Sequence, residues 1–212
     1  MAPVFCRRRR RRRRLVLGTH ILFRFFLITT QIKLEDRYTD DWPFAISLVV
    51  DGTDCRIQEP SPWSPIWFSY KHNASGLRYE IGTSIETGLM CWVNGPFLPG
   101  VWNDDMIFKE FLHQELDDGE IVHGDRGYKN KQGEPLHYFT PNTPGTNEQH
   151  HGNEQARARH ENVNGRIKRF RVTSGIFRHD PSKHGKCFFA VCALVHATMS
   201  MDEVPSPTDY AE

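Results

Sequence analysis

Cysteine is scarce and nowhere arranged as a ligand pair. The five residues Cys6, Cys55, Cys91, Cys187 and Cys192 are odd in number and contain no CxxC. That excludes a disulfide framework and a zinc-knuckle pattern, and it fits a reducing compartment. A long apolar run is also missing. The longest, over residues 15–30, is about 16 residues, short for a membrane-spanning helix, and is broken by His20 and Arg24. No internal repeat is present, and net charge is nearly absent, with 27 Lys+Arg against 26 Asp+Glu. With 38% hydrophobic and 12% aromatic residues, the chain is neither a membrane bundle nor a disordered polymer. A length of 212 residues supports one ordinary domain with a short appendage.

The near-zero charge conceals strong blocks. Residues 1–30 hold nine basic and no acidic groups, and residues 31–125 hold six basic and seventeen acidic. Residues 126–186 reverse the balance with twelve basic and five acidic groups, and the remainder carries four acids without Lys or Arg. Eight arginines at 7–14 precede the apolar run. They read as an irregular leader outside the fold, with a nuclear address or a phosphate-binding arm as the next reading and a membrane anchor as the last. The expected organisation is therefore a leader over 1–41, a folded domain over 42–200 and a disordered acidic tail over 201–212.

Within the domain, Phe44-Ala-Ile-Ser-Leu-Val-Val50 predicts a buried strand ending at Asp51-Gly52-Thr53. Runs around 77–86 and 89–94, joined by Thr87-Gly88, predict a hairpin, with Gly95-Pro96 opening a further turn. Asn103-Asp104 occupies a helix N-cap position ahead of Ile107, Phe108, Phe111, Leu112 and Leu116 at helical spacing. Residues 120–125 predict a short strand ending on an acid, and 142–152 a loop. Residues 154–170 predict a basic helix, and residues from 185 onward a buried closing helix.

The placement of carboxylates carries the chemistry. Asp51 and Asp125 each end a predicted strand, Asp104 starts a helix, and Glu161 lies on the basic helix. Buried acids converging on one sheet edge repel unless a cation neutralises them. Hard divalent ions such as Mg²⁺ take carboxylate and water ligands beside substrate phosphates. Two such ions about 4 Å apart stabilise both the attacking and leaving oxygens of a phosphoryl displacement. At 3.6 residues per turn, Arg157, Glu161 and Lys168 fall within about 40° on one helix face. With Arg166 and Arg169 nearby, that face suits nucleic-acid phosphate. Taken singly, Asp51 also reads as a turn acid and Asp104 as a simple cap.

Five segments in order then resemble the DDE-superfamily endonucleases of the Harbinger-like transposase group. They are Val50-Asp51-Gly52-Thr53-Asp54, Pro99-Gly100 through Asn103-Asp104 to Ile107-Phe108, Gly124-Asp125-Arg126-Gly127-Tyr128, Phe139-Thr140-Pro141, and Arg157 through Glu161 to Gly165-Arg166-Ile167-Lys168. The resemblance spans about residues 42–199. It implies an α/β, RNase H-like fold with a central mixed β-sheet flanked by helices. It also implies a catalytic, metal-binding triad of Asp51, Asp125 and Glu161, with Asp104 as an auxiliary metal-site acid. Arg157 and Lys168, with Arg166 and Arg169, would contact DNA. Mg²⁺ or Mn²⁺, as two ions, would serve phosphodiester cleavage and strand transfer in the nucleus. DNA is the expected partner, with a separate sequence-reading protein and self-association as further expectations, because no capped three-helix reader precedes Asp51. The alternative is a catalytically inactive, truncated or host-adopted derivative that binds DNA or protein.

Overall fold

The computed structural model describes residues 32–39, 46–125, 128, 137–140 and 147–201, with the backbone alone for 147–153. The arginine run, the apolar run after it and the segment after Met201 lie outside the described residues.

Strands β1 (Ile46–Arg56), β2 (Phe68–Ser69), β3 (Ala74–Ser84), β4 (Met90–Phe97), β5 (Ile121–His123) and β6 (Tyr138–Phe139) form one six-stranded sheet. β3 is antiparallel to β1, β2 and β4, whereas β5 runs parallel to β1 and β6 parallel to β5. The helices are α1 (Asp104–Glu110), α2 (Asn147–Lys168), α3 (Arg171–Ser174) and α4 (His184–Met201). The sheet has a core on each side, which is why β1 reads as a continuous apolar run rather than an alternating one. On one face Tyr79 and Ile81 pack with Val163 and Ile167 of α2 and with Phe188 and Val191 of α4. The Tyr79 ring stacks on Phe188 at 3.7 Å. On the other face Leu48, Val50 and Val122 meet Phe108 and Leu112. A mixed sheet flanked by helices is the RNase H-like architecture expected from the sequence.

Four local expectations are corrected. β1 does not end at Asp51, because β3 supplies ladder partners from Leu48↔Ser84 to Arg56↔Gly76, carrying the strand through the Asp-Gly-Thr segment. β4 likewise runs on through Gly95-Pro96. Gly95 sits at φ +128, and a Cβ there would lie 2.7 Å from Tyr79 Cδ1, so the strand needs glycine to pass that ring. α2 begins at Asn147, inside the segment expected to be a loop. Residues 32–39, assigned to the leader, pack on the domain. Leu34 joins the core of the α1 side, and buried Arg37 pairs with Glu120 at 2.7 Å and Asp117 at 2.9 Å.

Candidate active site

The site arises from unequal strand lengths. The parallel ladder between β1 and β5 stops at Val49↔His123, while β1 continues against β3. Asp51 therefore stands just past the end of β5, and Asp125 follows that strand by two residues. α2 passes over this edge. Asp51, Asp125 and Glu161 line one small, half-open cleft with Arg157, His123 and His160. Arg157 and Glu161, four residues apart on α2, share the face turned to it.

Asp51 is held in an environment unfavourable to its charge. Burial pushes its carboxyl up to about 6, and Asp104 and Asp125 add to the rise, while Lys71 and the Gly52 amide oppose it. That amide donates to Asp51 Oδ1 at 2.8 Å.

Asp104 approaches β1 from α1, which Asn103 caps by accepting from the Met106 amide at 2.8 Å. It comes so close because residue 52 has no side chain. A Cβ on Gly52 would lie 2.0 Å from Asp104 Oδ1. The Asp104 carboxyl is also raised, by burial first, with Arg78 opposing and Asp54 and Asp125 adding. Its Oδ1 is buried with no hydrogen bond, Arg78 Nη1 standing 3.5 Å away.

Sequence alternatives for the acids are separated by their partners. Asp54, three residues after Asp51, accepts from Arg78 Nε at 2.7 Å and Nη2 at 3.0 Å, and from the Ser69 hydroxyl. Burial alone would raise its carboxyl, but the Arg78 and Ser69 hydrogen bonds hold it below the usual range. Asp105 is bonded by Lys109 Nζ at 2.7 Å and Tyr138 Oη at 3.0 Å. Neither lines the cleft.

The expected phosphate contacts divide. Arg157 lines the cleft. Arg166 donates to Asn162 Oδ1 at 3.3 Å on the surface of α2, and Arg169 is exposed just beyond the helix. Lys168, expected at DNA, is tied within the fold in this structure. Its ammonium donates to the Asp54 carbonyl at 2.7 Å, the Thr173 carbonyl at 3.2 Å and Cys55 Sγ at 3.4 Å, joining the end of α2 to β1.

Four further site groups carry no local sequence signal. His160 is 3% exposed and bonds Thr83 Oγ1 through Nδ1 at 2.8 Å, leaving Nε2 buried and without a protein partner. His123, 1% exposed, has an equally unpartnered Nδ1. Burial pushes both imidazoles down to about 4, which keeps them neutral at pH 7. Glu80, paired across from Gly52, is buried and pushed up to about 8 by desolvation, although Trp92 Nε1 donates to it at 2.8 Å. Lys71 bonds the Gly52 carbonyl at 3.3 Å.

The donors are hard oxygens in a cluster that repels its own charge, with Asp104 Oδ1 orphaned, which is the chemistry a hard divalent cation satisfies. Among the described residues, no three His, Cys, Asp or Glu side chains are already gathered at metal-holding distance. No helix among them is long and apolar enough to cross a membrane.

An RNase H-like sheet carrying acids at the point where its parallel pairing stops defines the class of metal-dependent nucleases. Residues 50–196 match the DDE superfamily endonuclease family, and the chain belongs to it. No curated protein and no solved structure matches the chain. Members of this family are nucleases that generally use divalent metals to cut DNA.

Proposed function

We propose that the protein is a Harbinger-like, transposase-type endonuclease that cleaves DNA phosphodiester bonds, with strand transfer to a 3′-hydroxyl as its second step. The observation that carries this reading is the convergence of Asp51, Asp125 and Glu161 on one cleft from β1, the end of β5 and α2. Asp51, Asp125 and Glu161 would hold the divalent cation, Mg²⁺ or Mn²⁺ and two ions in number, with Asp104 alongside. A cation held there would supply a lowered pKa for the attacking water and charge compensation for the in-line transition state. Arg157 binds the DNA backbone at the cleft, and Arg166 and Arg169 extend that contact along α2. Glu80, neutral below about pH 8, keeps a further negative charge away from Asp104. The nucleus is where such a substrate is found. A separate sequence-reading protein and self-association complete the proposed partners.

The test is incubation of the protein with supercoiled plasmid and Mg²⁺ or Mn²⁺, beside an Asp51→Ala control. Nicking by the wild type and none by the control supports the reading. Equal strand breakage in both, with DNA bound, sinks it. One observation favours a second reading, a catalytically silent DNA- or protein-binding derivative: the acids are not drawn into a three-ligand cluster. DNA binding without nicking in either metal selects that reading.

A further inference from the structure

The turn between β2 and β3 is fastened onto β1 beside the acids. His72 Nε2 bonds the Asp54 carbonyl at 3.0 Å, and the His72 amide donates to the Ser69 carbonyl at 3.3 Å. Asn73 closes the turn at φ 49, a left-handed conformation that Asn tolerates. These ties deliver Lys71 to the Gly52 carbonyl, one residue from Asp51. Among the charges acting on Asp51, Lys71 is the strongest, ahead of Asp104 and Asp125, and its field also reaches Asp54, Asp104 and His160.

Most other cations near this edge have internal employment. Arg78 is bound to Asp54, Lys168 to the carbonyls of Asp54 and Thr173, and Arg159 to the Ile85 carbonyl at 3.2 Å. Lys71 differs. It is exposed, and its hydrogen bond to Gly52 is at the long end of the useful range. A flexible ammonium held weakly beside a carboxylate cleft suits a phosphate, which it meets as a point charge.

We infer that Lys71 is a phosphodiester contact of the cleavage cleft, resting on the Gly52 carbonyl in the free protein and turning to a non-bridging oxygen of the DNA strand when it enters beside Asp51. The inference rests on the nuclease reading and extends it to a residue outside the five sequence motifs. Arg157 lines the cleft from α2, whereas Lys71 reaches β1 at Gly52 from the turn between β2 and β3, so the strand is gripped from the sheet as well as from the helix. In the free protein the same ammonium partly compensates the acids.

The test uses the full chain, a 20-base-pair DNA duplex without divalent metal, and separately Mn²⁺ alone at pH 8. In Lys71→Gln, DNA affinity falls about fivefold, and the slope of log affinity against log salt becomes shallower by about 0.9, the value of one phosphate contact. Lys71→Arg keeps the wild-type slope, and Lys186→Gln, on the exposed face of α4, does the same. Mn²⁺ binds Lys71→Gln about threefold more tightly, because a repelling charge is gone. Damage to the fold would weaken both ligands, so opposite signs identify the role. An unchanged salt slope in Lys71→Gln overturns the inference. If Asp51→Asn leaves Mn²⁺ affinity intact, the nuclease reading fails instead, whatever the slope shows.

Discussion

Asp51 and Asp54 lie on one strand, three residues apart, and have opposite fates. Asp54 points to the α1 side, where Arg78 and Ser69 saturate it and hold its carboxyl low. Asp51 points to the α2 side, and burial first, with the charges of Asp104 and Asp125 adding, pushes it to about 6. Successive residues of a strand face opposite sides, so an odd spacing puts two identical side chains in different chemistry. The contrast separates an acid that holds the fold together from one whose burial outweighs the compensation offered by the Gly52 amide and Lys71. A buried charge left without a partner is costly, and a cation is the ligand that relieves it.

The largest effects should come from exchanging those fates. Asp51→Asn should abolish plasmid nicking, a loss of at least about a thousandfold if the acid is essential to the transition state, with the thermal midpoint unchanged or raised. Asp54→Asn should do the reverse and unfold the domain more easily by about 3–5 kcal/mol, because Arg78 keeps a buried charge without its carboxylate. Urea denaturation followed by circular dichroism measures it. If the two variants behave alike, the contrast collapses.

Gly52→Ala comes next. The new Cβ would fall 2.0 Å from Asp104 Oδ1 and must drive that acid from β1. Nicking should fall at least about tenfold, as it does when metal-site support is displaced. The expected companion result is a lower pKa for Asp51, read by carboxyl NMR, since a raising neighbour has moved away.

The pH dependence gives a smaller effect. Glu80 has a folded pKa raised from 4.5 to about 8. The native state therefore binds more protons there than the unfolded chain, and stability falls as pH rises through that window. Glu80→Gln should flatten the fall and raise the thermal midpoint above pH 8. Asp51 adds a fall of the same sign between 3.8 and about 6, which saturating Mn²⁺ should oppose above pH 6. A Glu80→Gln profile parallel to that of the wild type would remove Glu80 from the electrostatics of Asp104.

The smallest effect tests the polar ground beneath the cleft. Thr83→Val removes the hydroxyl that fixes His160, the residue before Glu161. Nicking should drop severalfold while folding stability falls by about 1 kcal/mol, the worth of one hydrogen bond.

What the sequence revealed, and what it concealed, follows the range of the interactions. The N-cap at Asn103, the Thr87-Gly88 hairpin, the closing helix and the positions of Asp51, Asp125 and Glu161 were legible because local spacing or contiguous motifs encode them. The continuation of β1 past Asp51 was not, since its partners lie on β3, from Gly76 to Ser84. Nor was the burial of Arg37 against Glu120, 83 residues away. Helical spacing placed Lys168 on the face of Arg157 and Glu161, but it could not reveal that β1 would offer that ammonium a carbonyl. Lys71 and His160 belong to the same class, as their meaning comes from strands brought beside them.

The most direct measurement is a calorimetric titration of Mn²⁺ into the wild-type protein and Asp51→Asn at pH 8. Saturable binding to the wild type that is lost in Asp51→Asn is the predicted result. Equal affinity for both proteins, with both folded, would contradict a cation site built around Asp51.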